Sequence, residues 1–210
     1  MTYAQRQAIA TPAAGLLIWC SNCGAGEIQV FNGINWTNMI GGAPSPVLSI
    51  GDSYGGGVVA YILQSGDPGY AAGSTHGFIV SSADLSGSSA WYNGAYTVTN
   101  ATGTALGTGL ANTNAIILSQ GNTGSYAAKL CADYSLTVNG VVYDDWYLPS
   151  IDELNKIYVS KAIIGGSYSI YYWSSTEISQ DNARLQNFSN GVPSNNWKDP
   201  AYGVRAIRSF

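Results

Sequence analysis

Charge is what this sequence has least of. Asp, Glu, Lys and Arg make up 10% of its 210 residues, against roughly a quarter in ordinary globular proteins. The balance is −4, with a pI near 4.6. Such a surface does not suit nucleic acid, which needs clustered Lys and Arg against its phosphates. Long apolar runs are missing as well. No stretch approaches the ~18 consecutive apolar residues of a membrane span, so no membrane insertion is expected. The opening Thr2, Tyr3, Gln5, Arg6 and Gln7 are polar, and no signal peptide is expected there. Cysteine is confined to Cys20, Cys23 and Cys131, too few for a disulfide framework. Histidine is confined to His76. A Ser-His-Asp or Cys-His device would have to pass through that single imidazole. It lies in Ser74-Thr75-His76-Gly77, and no Gly-x-Ser-x-Gly elbow occurs in the chain. His76 reads as a structural or surface residue, and no residue is assigned a catalytic role.

What is present is glycine (26 residues), tyrosine (15) and tryptophan (6), with abundant Ser and Asn. Aromatic content and low charge do not fit a disordered chain, and the glycines keep no three-residue period, which excludes collagen-like structure. The composition fits a compact, turn-rich recognition domain better than a metabolic enzyme.

Residues 1–40 read as one module. Thr2 with Gln5 fits a capping box that starts a short helix to about Ile9, ended by Pro12. The apolar runs at Leu16–Trp19 and Glu27–Phe31 flank a glycine-bearing turn, which predicts a β-hairpin. Residues 41–46, rich in Gly and Pro, read as a linker to a second domain over 47–210. There the pattern predicts strands at Val58–Leu63 and Gly77–Val80, then long surface loops over 81–111. Helices are expected around Asn114–Leu118, with Ala115 and Leu118 as the apolar face, and around Tyr126–Tyr134. Ser150 with Glu153 is a second capping box, opening a helix whose buried stripe is Ile151, Leu154 and Ile157. Strands follow at Tyr171–Ser175, Ala183–Phe188 and Val204–Phe210. Many short strands with two or three helices make the fold class α+β.

Several motifs invite chemistry. Cys20-Ser-Asn-Cys23 follows Trp19 as a redox pair would, but it sits at a hairpin tip with no helix N-terminus to lower a thiol pKa. A turn pair, free or locally disulfide-bonded, is the simpler reading. One Cys-x-x-Cys supplies two of the four ligands zinc needs, so no metal site is assigned. Cys131 reads as a core thiol. Asp144 and Asp145, with Asp133 or Asp152, leave a structural calcium ion open as the one cofactor considered, although no Asp-x-Asp-x-Asp-Gly loop is present. Glu177 is expected to pair with Arg205 or Arg208. Gly55-Gly56-Gly57 precedes a strand and not a helix, which disfavours a phosphate cradle.

The C-terminal stretch from Ile178 to Tyr202 stands apart. It holds five asparagines together with Trp197, Tyr202, Arg184 and Lys198. Aromatic and Arg anchors amid Asn and Ser are the palette of antibody paratopes: rigid contact area with adaptable hydrogen bonding. A polar hairpin with an exposed tryptophan is the plainer alternative.

The ordered motifs Asp145-Trp-Tyr-Leu-Pro-Ser-Ile-Asp-Glu-Leu154, Tyr172-Trp-Ser-Ser-Thr-Glu177 and Ala183…Phe188-Ser-Asn-Gly191…Lys198…Val204-Arg-Ala-Ile-Arg208 resemble the C-terminal domain family of the Legionella collagen-like adhesin. Ile50-Gly-Asp-Ser-Tyr-Gly-Gly-Gly57 and His76-Gly-Phe-Ile79 match its start, so the resemblance covers about 47–210. It implies a C-type-lectin-like fold: a twisted antiparallel sheet with two main flanking helices, preceded here by the small helix and hairpin module. Residues 1–40 look like a short module that precedes such domains in fibre and surface proteins, where an equivalent methionine is often internal.

Domains of this family are also similar to the variable proteins of diversity-generating retroelements, whose adenine-directed mutagenesis scatters Asn codons near the C-terminus. Ala183, Phe188, Gly191, Lys198, Val204, Arg205 and Arg208 fit the family framework, and Arg184, Leu185, Val192, Pro193, Ser194, Trp197, Asp199, Pro200 and Ala201 lie between them. The resemblance therefore implies a non-catalytic ligand-binding module with a diversified surface, a phage tail-fibre tip or a bacterial surface protein, facing a cell-surface protein or glycan. Trp197, Tyr202 and Arg184 are the expected anchors, and Asn182, Ser194, Asn195, Asn196 and Asp199 the adjustable polar contacts. Gln180, Asp181, Leu185, Val192, Pro200 and Ala201 complete the expected surface. The alternative is an adhesin of fixed carbohydrate specificity, for glycosaminoglycans if Arg184, Lys198, Arg205 and Arg208 cluster. Calcium-bridged sugar binding is not expected, since Glu-Pro-Asn, Gln-Pro-Asp and Trp-Asn-Asp are all absent. Relatives that assemble in threes make a homotrimer a further expectation.

Overall fold

The computed structural model describes residues 1–24, 26–40, 47–72, 74–166 and 169–210. The expected linker over 41–46 lies outside the described residues. The fold is α+β, mostly sheet, with four helices among the described residues. None of them is long and apolar enough to cross a membrane. The chain divides into two compact units, Met1–Ser49 with Ile62–Gly77, and Ile50–Tyr61 with Phe78–Phe210. The segment 62–77 groups with the N-terminal unit, and within it the Leu63 N–H donates to the His76 carbonyl at 2.8 Å.

In the first unit, helix α1 (Tyr3–Gln7) begins with the expected reciprocal Thr2/Gln5 capping box. Strands β1 (Leu17–Cys20), β2 (Glu27–Phe31) and β3 (Trp36–Asn38) form one antiparallel sheet in that order. A Cys20–Cys23 disulfide closes the hairpin tip, which settles the open choice at that motif. Arg6 is buried and donates to the Gln29 side-chain carbonyl at 2.6 Å, which offsets the cost of carrying a guanidinium inside so small a unit.

The second unit runs β4 (Ser53–Tyr54), β5 (Gly57–Ile62), β6 (Gly77–Val80), β7 (Ser86–Ser89), α2 (Gly109–Gln120), α3 (Ala127–Ala132), β8 (Leu136–Val138), β9 (Val141–Tyr143), α4 (Ile151–Ile164), β10 (Tyr171–Glu177), β11 (Asn182–Asn187), β12 (Pro193–Trp197), β13 (Tyr202–Val204) and β14 (Ile207–Ser209). The ends of β5 and β6, Ile62 and Gly77, already belong to the first unit. Two larger sheets carry this unit, one ordered β12-β11-β10-β13-β7 and one ordered β14-β6-β5-β4. In the first, β10 and β13 run parallel and the other pairs antiparallel.

Helix α4 follows its sequence closely. Ser150 and Glu153 form the capping box, and Ile151, Leu154 and Ile157 are buried. Leu154 and Ile157 join Phe78, Val80, Tyr147, Tyr172, Phe188 and Ile207 in the core. Burying a side chain of this size removes roughly 1.5–3 kcal/mol of unfavourable hydration. Helix α2 does not follow its pattern. Leu118 is 88% exposed, and the buried face is Asn112, Thr113, Ile116 and Gln120. Those polar side chains serve loop backbone: Asn112 holds both backbone groups of Gly103, and Gln120 reaches Asn93 and Thr97. A long irregular loop packed on a helix needs hydrogen-bond partners from it, and this outweighs the apolar spacing. In α3 the buried residues are Ala127, Ala128 and Cys131, with Tyr126 buried just ahead of them.

Candidate binding surface

The stretch from Gln180 to Tyr202 forms an edge hairpin. Strand β11 pairs with β10 on one side and with β12 on the other, and β12 is outermost. Its turn is specified by asparagine and glycine. Asn187 and Asn190 accept the Ser189 and Val192 N–H groups through their side-chain oxygens, and Gly191 takes φ +79°. A Cβ on Gly191 would enter the Tyr158 ring.

Cross-strand partners share a face of a sheet, and successive residues alternate between faces. The register Asn182↔Trp197, Arg184↔Asn195, Leu185↔Ser194 and Ala183↔Asn196 therefore sorts the expected site residues. One face carries Asn182, Arg184, Asn195 and Trp197. The other carries Ala183, Leu185, Ser194 and Asn196, together with Trp173, which stands opposite Leu185. On that second face Asn196 donates to the Tyr202 hydroxyl at 2.6 Å, and the Tyr202 ring lies 5.0 Å from Trp173. The expected anchors are thus not brought into one patch. Trp197 and Arg184 share a face, and Tyr202 belongs to the other.

Leu185 requires a correction. It is 2% exposed, paired with the buried Trp173, and cannot contact a ligand. Its place opposite Trp173 on the inward side of β11 fixes this. Gln180, Val192, Ser194, Asn195, Trp197, Asp199 and Ala201 are exposed, and Asp181, Asn182, Arg184, Asn196, Pro200 and Tyr202 are half-buried.

Beneath the hairpin sits a buried ion pair. The Lys198 ammonium reaches the Glu177 carboxylate at 2.6 Å, with both side chains at most 1% exposed. It also donates to the carbonyls of Gln180 (2.7 Å) and Thr97 (3.0 Å) and lies 4.6 Å from the centre of the Trp91 ring. Glu177 in turn accepts the N–H groups of Thr99 and Asn100. One cation thereby ties three segments together: the 97–100 loop, the turn before β11 and the end of β12. The expected pairing of Glu177 with Arg205 or Arg208 does not occur. Arg205 is buried against Asp84 and the carbonyls of Ser81 and Ser82, and Arg208 holds Asp145 at 2.5 Å. Of the four cations considered for a glycosaminoglycan site, Lys198, Arg205 and Arg208 are occupied by carboxylates. Asp145 is likewise committed to Arg208. No group of three or more His, Cys, Asp or Glu residues placed to share a metal ion is found among the described residues.

Two residues outside the expected set belong to this surface. Tyr96 packs on Trp197 with ring centres 6.2 Å apart and planes at 68°, and Tyr92 packs on Tyr96 at 4.9 Å. The backbone carbonyl of Tyr96 accepts the Gln180 side-chain amide at 3.2 Å. Its phenol is pushed up to about 12, first by the loss of water around it and then by a hydrogen bond to Asp199, with Asp181 adding repulsion. Trp91, Tyr92 and Tyr96 stand together in a long run of small polar residues, and the fold buries Trp91 completely while leaving Tyr92 and Tyr96 half-buried. What the sequence does not carry is which strand the loop lies against.

Matched against protein-family models and against curated proteins, the chain matches none.

Proposed function

We propose that this chain is a non-catalytic ligand-binding module whose C-terminal hairpin is the recognition surface, built on a C-type-lectin-like frame. The observation that supports this most directly is a partition. The framework positions Ala183, Phe188, Lys198, Val204 and Arg205 are buried, and the interleaved positions Val192, Pro193, Ser194, Trp197, Asp199 and Ala201 are exposed. Leu185 runs against this partition, and Gly191 and Arg208 of the framework and Arg184 and Pro200 of the interleaved set are half-buried. A surface set this far apart from its supports can exchange side chains and keep its backbone, as a diversified surface requires. Trp197, 54% exposed, supplies rigid contact area at the corner with Tyr96. In this reading the module tips a phage tail fibre or a bacterial surface protein and meets a protein or glycan on another cell.

The glycosaminoglycan alternative lacks its basic cluster, because only Arg184 of the four cations has no ion pair among the described residues.

Two measurements test the proposal. Sequencing the gene across sibling isolates should find substitutions concentrated at 180–202, and an invariant stretch there removes the diversified reading. In a binding screen on whole cells and glycans, Trp197→Ala combined with Arg184→Ala should cost about 2 kcal/mol or more, roughly thirtyfold in Kd. Unchanged binding by that double variant places the site elsewhere.

A further inference from the structure

The hairpin's aromatic corner has a charge character that narrows the ligand. Tyr96 and Trp197 do not make a flat platform, since their planes meet at 68°. Tyr92 extends the Tyr96 wall. Two carboxylates lie beside the corner: Asp199, exposed and two residues after Trp197, and Asp181, whose backbone carbonyl accepts the Lys198 N–H at 2.9 Å. The nearest cation in sequence, Lys198, is sealed below the surface and neutralised by Glu177. Arg184 lies on the same face as Trp197, two residues along β11 from Asn182, where it faces Asn195. The corner itself therefore combines packed ring faces with two neighbouring carboxylates.

Ring faces carry negative quadrupole charge and attract ammonium and guanidinium groups, and a carboxylate at the rim adds a directional partner. A sugar would instead call for one open, flat ring face, and an acidic glycan would be repelled by Asp181 and Asp199. We infer that the Tyr92–Tyr96–Trp197 corner, with Asp199 and Asp181, takes a cationic side chain, Lys or Arg, presented by a protein partner. This inference rests on the hairpin being the recognition surface, and it assigns the ligand class of that surface.

The test uses the full chain and four probes: hexaarginine, hexalysine, hexaglutamate and a neutral maltohexaose. Binding is read by calorimetry and by the indole N–H resonance of Trp197, assigned through Trp197→Phe. The basic peptides should bind at low salt and shift that resonance, and the other two probes should not. Asp199→Asn and Tyr96→Ala should each weaken the basic peptides about three- to tenfold, with melting temperatures close to that of the parent. Two results overturn the ligand class and leave the surface standing. One is maltohexaose binding that Trp197→Ala abolishes and Asp199→Asn leaves unchanged. The other is a Trp197 resonance unmoved by basic peptides at millimolar concentration. Basic peptides that bind the parent, Asp199→Asn and Tyr96→Ala alike overturn the site itself. The recognition-surface reading has its own separate failure, cell or glycan binding that survives Trp197→Ala with Arg184→Ala.

Discussion

Replacing Lys198 by methionine keeps most of the stem's packing and removes the ammonium. The Glu177 carboxylate is then left in the interior, at most 1% exposed, with the N–H groups of Thr99 and Asn100 as its remaining described donors. The carbonyls of Gln180 and Thr97 lose their ammonium donor at the same time. Breaking a buried pair from one side typically costs about 3–5 kcal/mol, because an uncompensated charge stays behind. The two retained amides argue for the middle of that range, about 4 kcal/mol. For a chain of this size each kcal/mol moves the melting temperature by roughly 2–4 °C, so Lys198→Met should melt about 8–16 °C below the parent. Circular dichroism against temperature reads the shift directly. Adding Glu177→Gln to Lys198→Met removes the stranded charge, so the double variant should be more stable than the sum of the two single losses, by about 2 kcal/mol. Strictly additive losses, or a Lys198→Met protein within about 1 kcal/mol of the parent, would refute the ion pair as the tie beneath the hairpin.

Other consequences follow at separate places. Burial raises the pKa of Glu153 above its ordinary value, although the backbone N–H groups of Ser150 and Gly107 partly offset it. The folded chain therefore holds that proton more tightly than the unfolded one, and the stability this contributes is present below the ordinary carboxylate pKa and lost as pH rises through the folded value. Urea melts from acid to neutral pH should show the parent losing stability relative to Glu153→Gln as pH rises, and a pH-independent difference counts against it. The Cys131 thiol is fully buried and burial pushes its pKa up, so Ellman's reagent should find no reactive thiol in the native chain and one per chain in urea. Rapid native labelling would contradict that burial. Gly191→Ala combines a left-handed backbone with a clash against Tyr158, and should cost about 2 kcal/mol in chemical denaturation. A neutral result would mean the turn has another conformation open to it.

The two capping boxes were legible because all their information is local. Thr2 with Gln5, and Ser150 with Glu153, need only a spacing of three and a helix to follow. The stripe Ile151, Leu154 and Ile157 was legible for the same reason. Helix α2 was not, because its inward face is chosen by the hydrogen bonds that loops 93–103 require, and those loops have no period to read. The hairpin of β8 and β9 turns on Asn139-Gly140, a short-range signal that the reading of the sequence above does not use. In the candidate surface, Trp197, Arg184 and the exposed polar set could be read from composition. The inward turn of Leu185 could not, since it is set by the pairing of β11 with β10, which brings Leu185 opposite the buried Trp173. Tyr92 and Tyr96 lie a hundred residues from Trp197 in the chain, and Lys198 selects Glu177 over closer carboxylates through strand register alone. These are tertiary facts, written in pairings and not in spacing.

The Lys198 knot also bears on how much change this protein can absorb. Surface substitutions away from buried supports usually fall within about 0.5 kcal/mol of neutral. Positions 194, 195, 197 and 199 are exposed while Lys198, Glu177 and Trp91 carry the attachment from below. Several such positions can therefore be rewritten together before the accumulated loss nears the threshold for folding. Mutational freedom and mutational fragility are separated here by a single residue, with 197 and 199 open to nearly any side chain and 198 open to almost none.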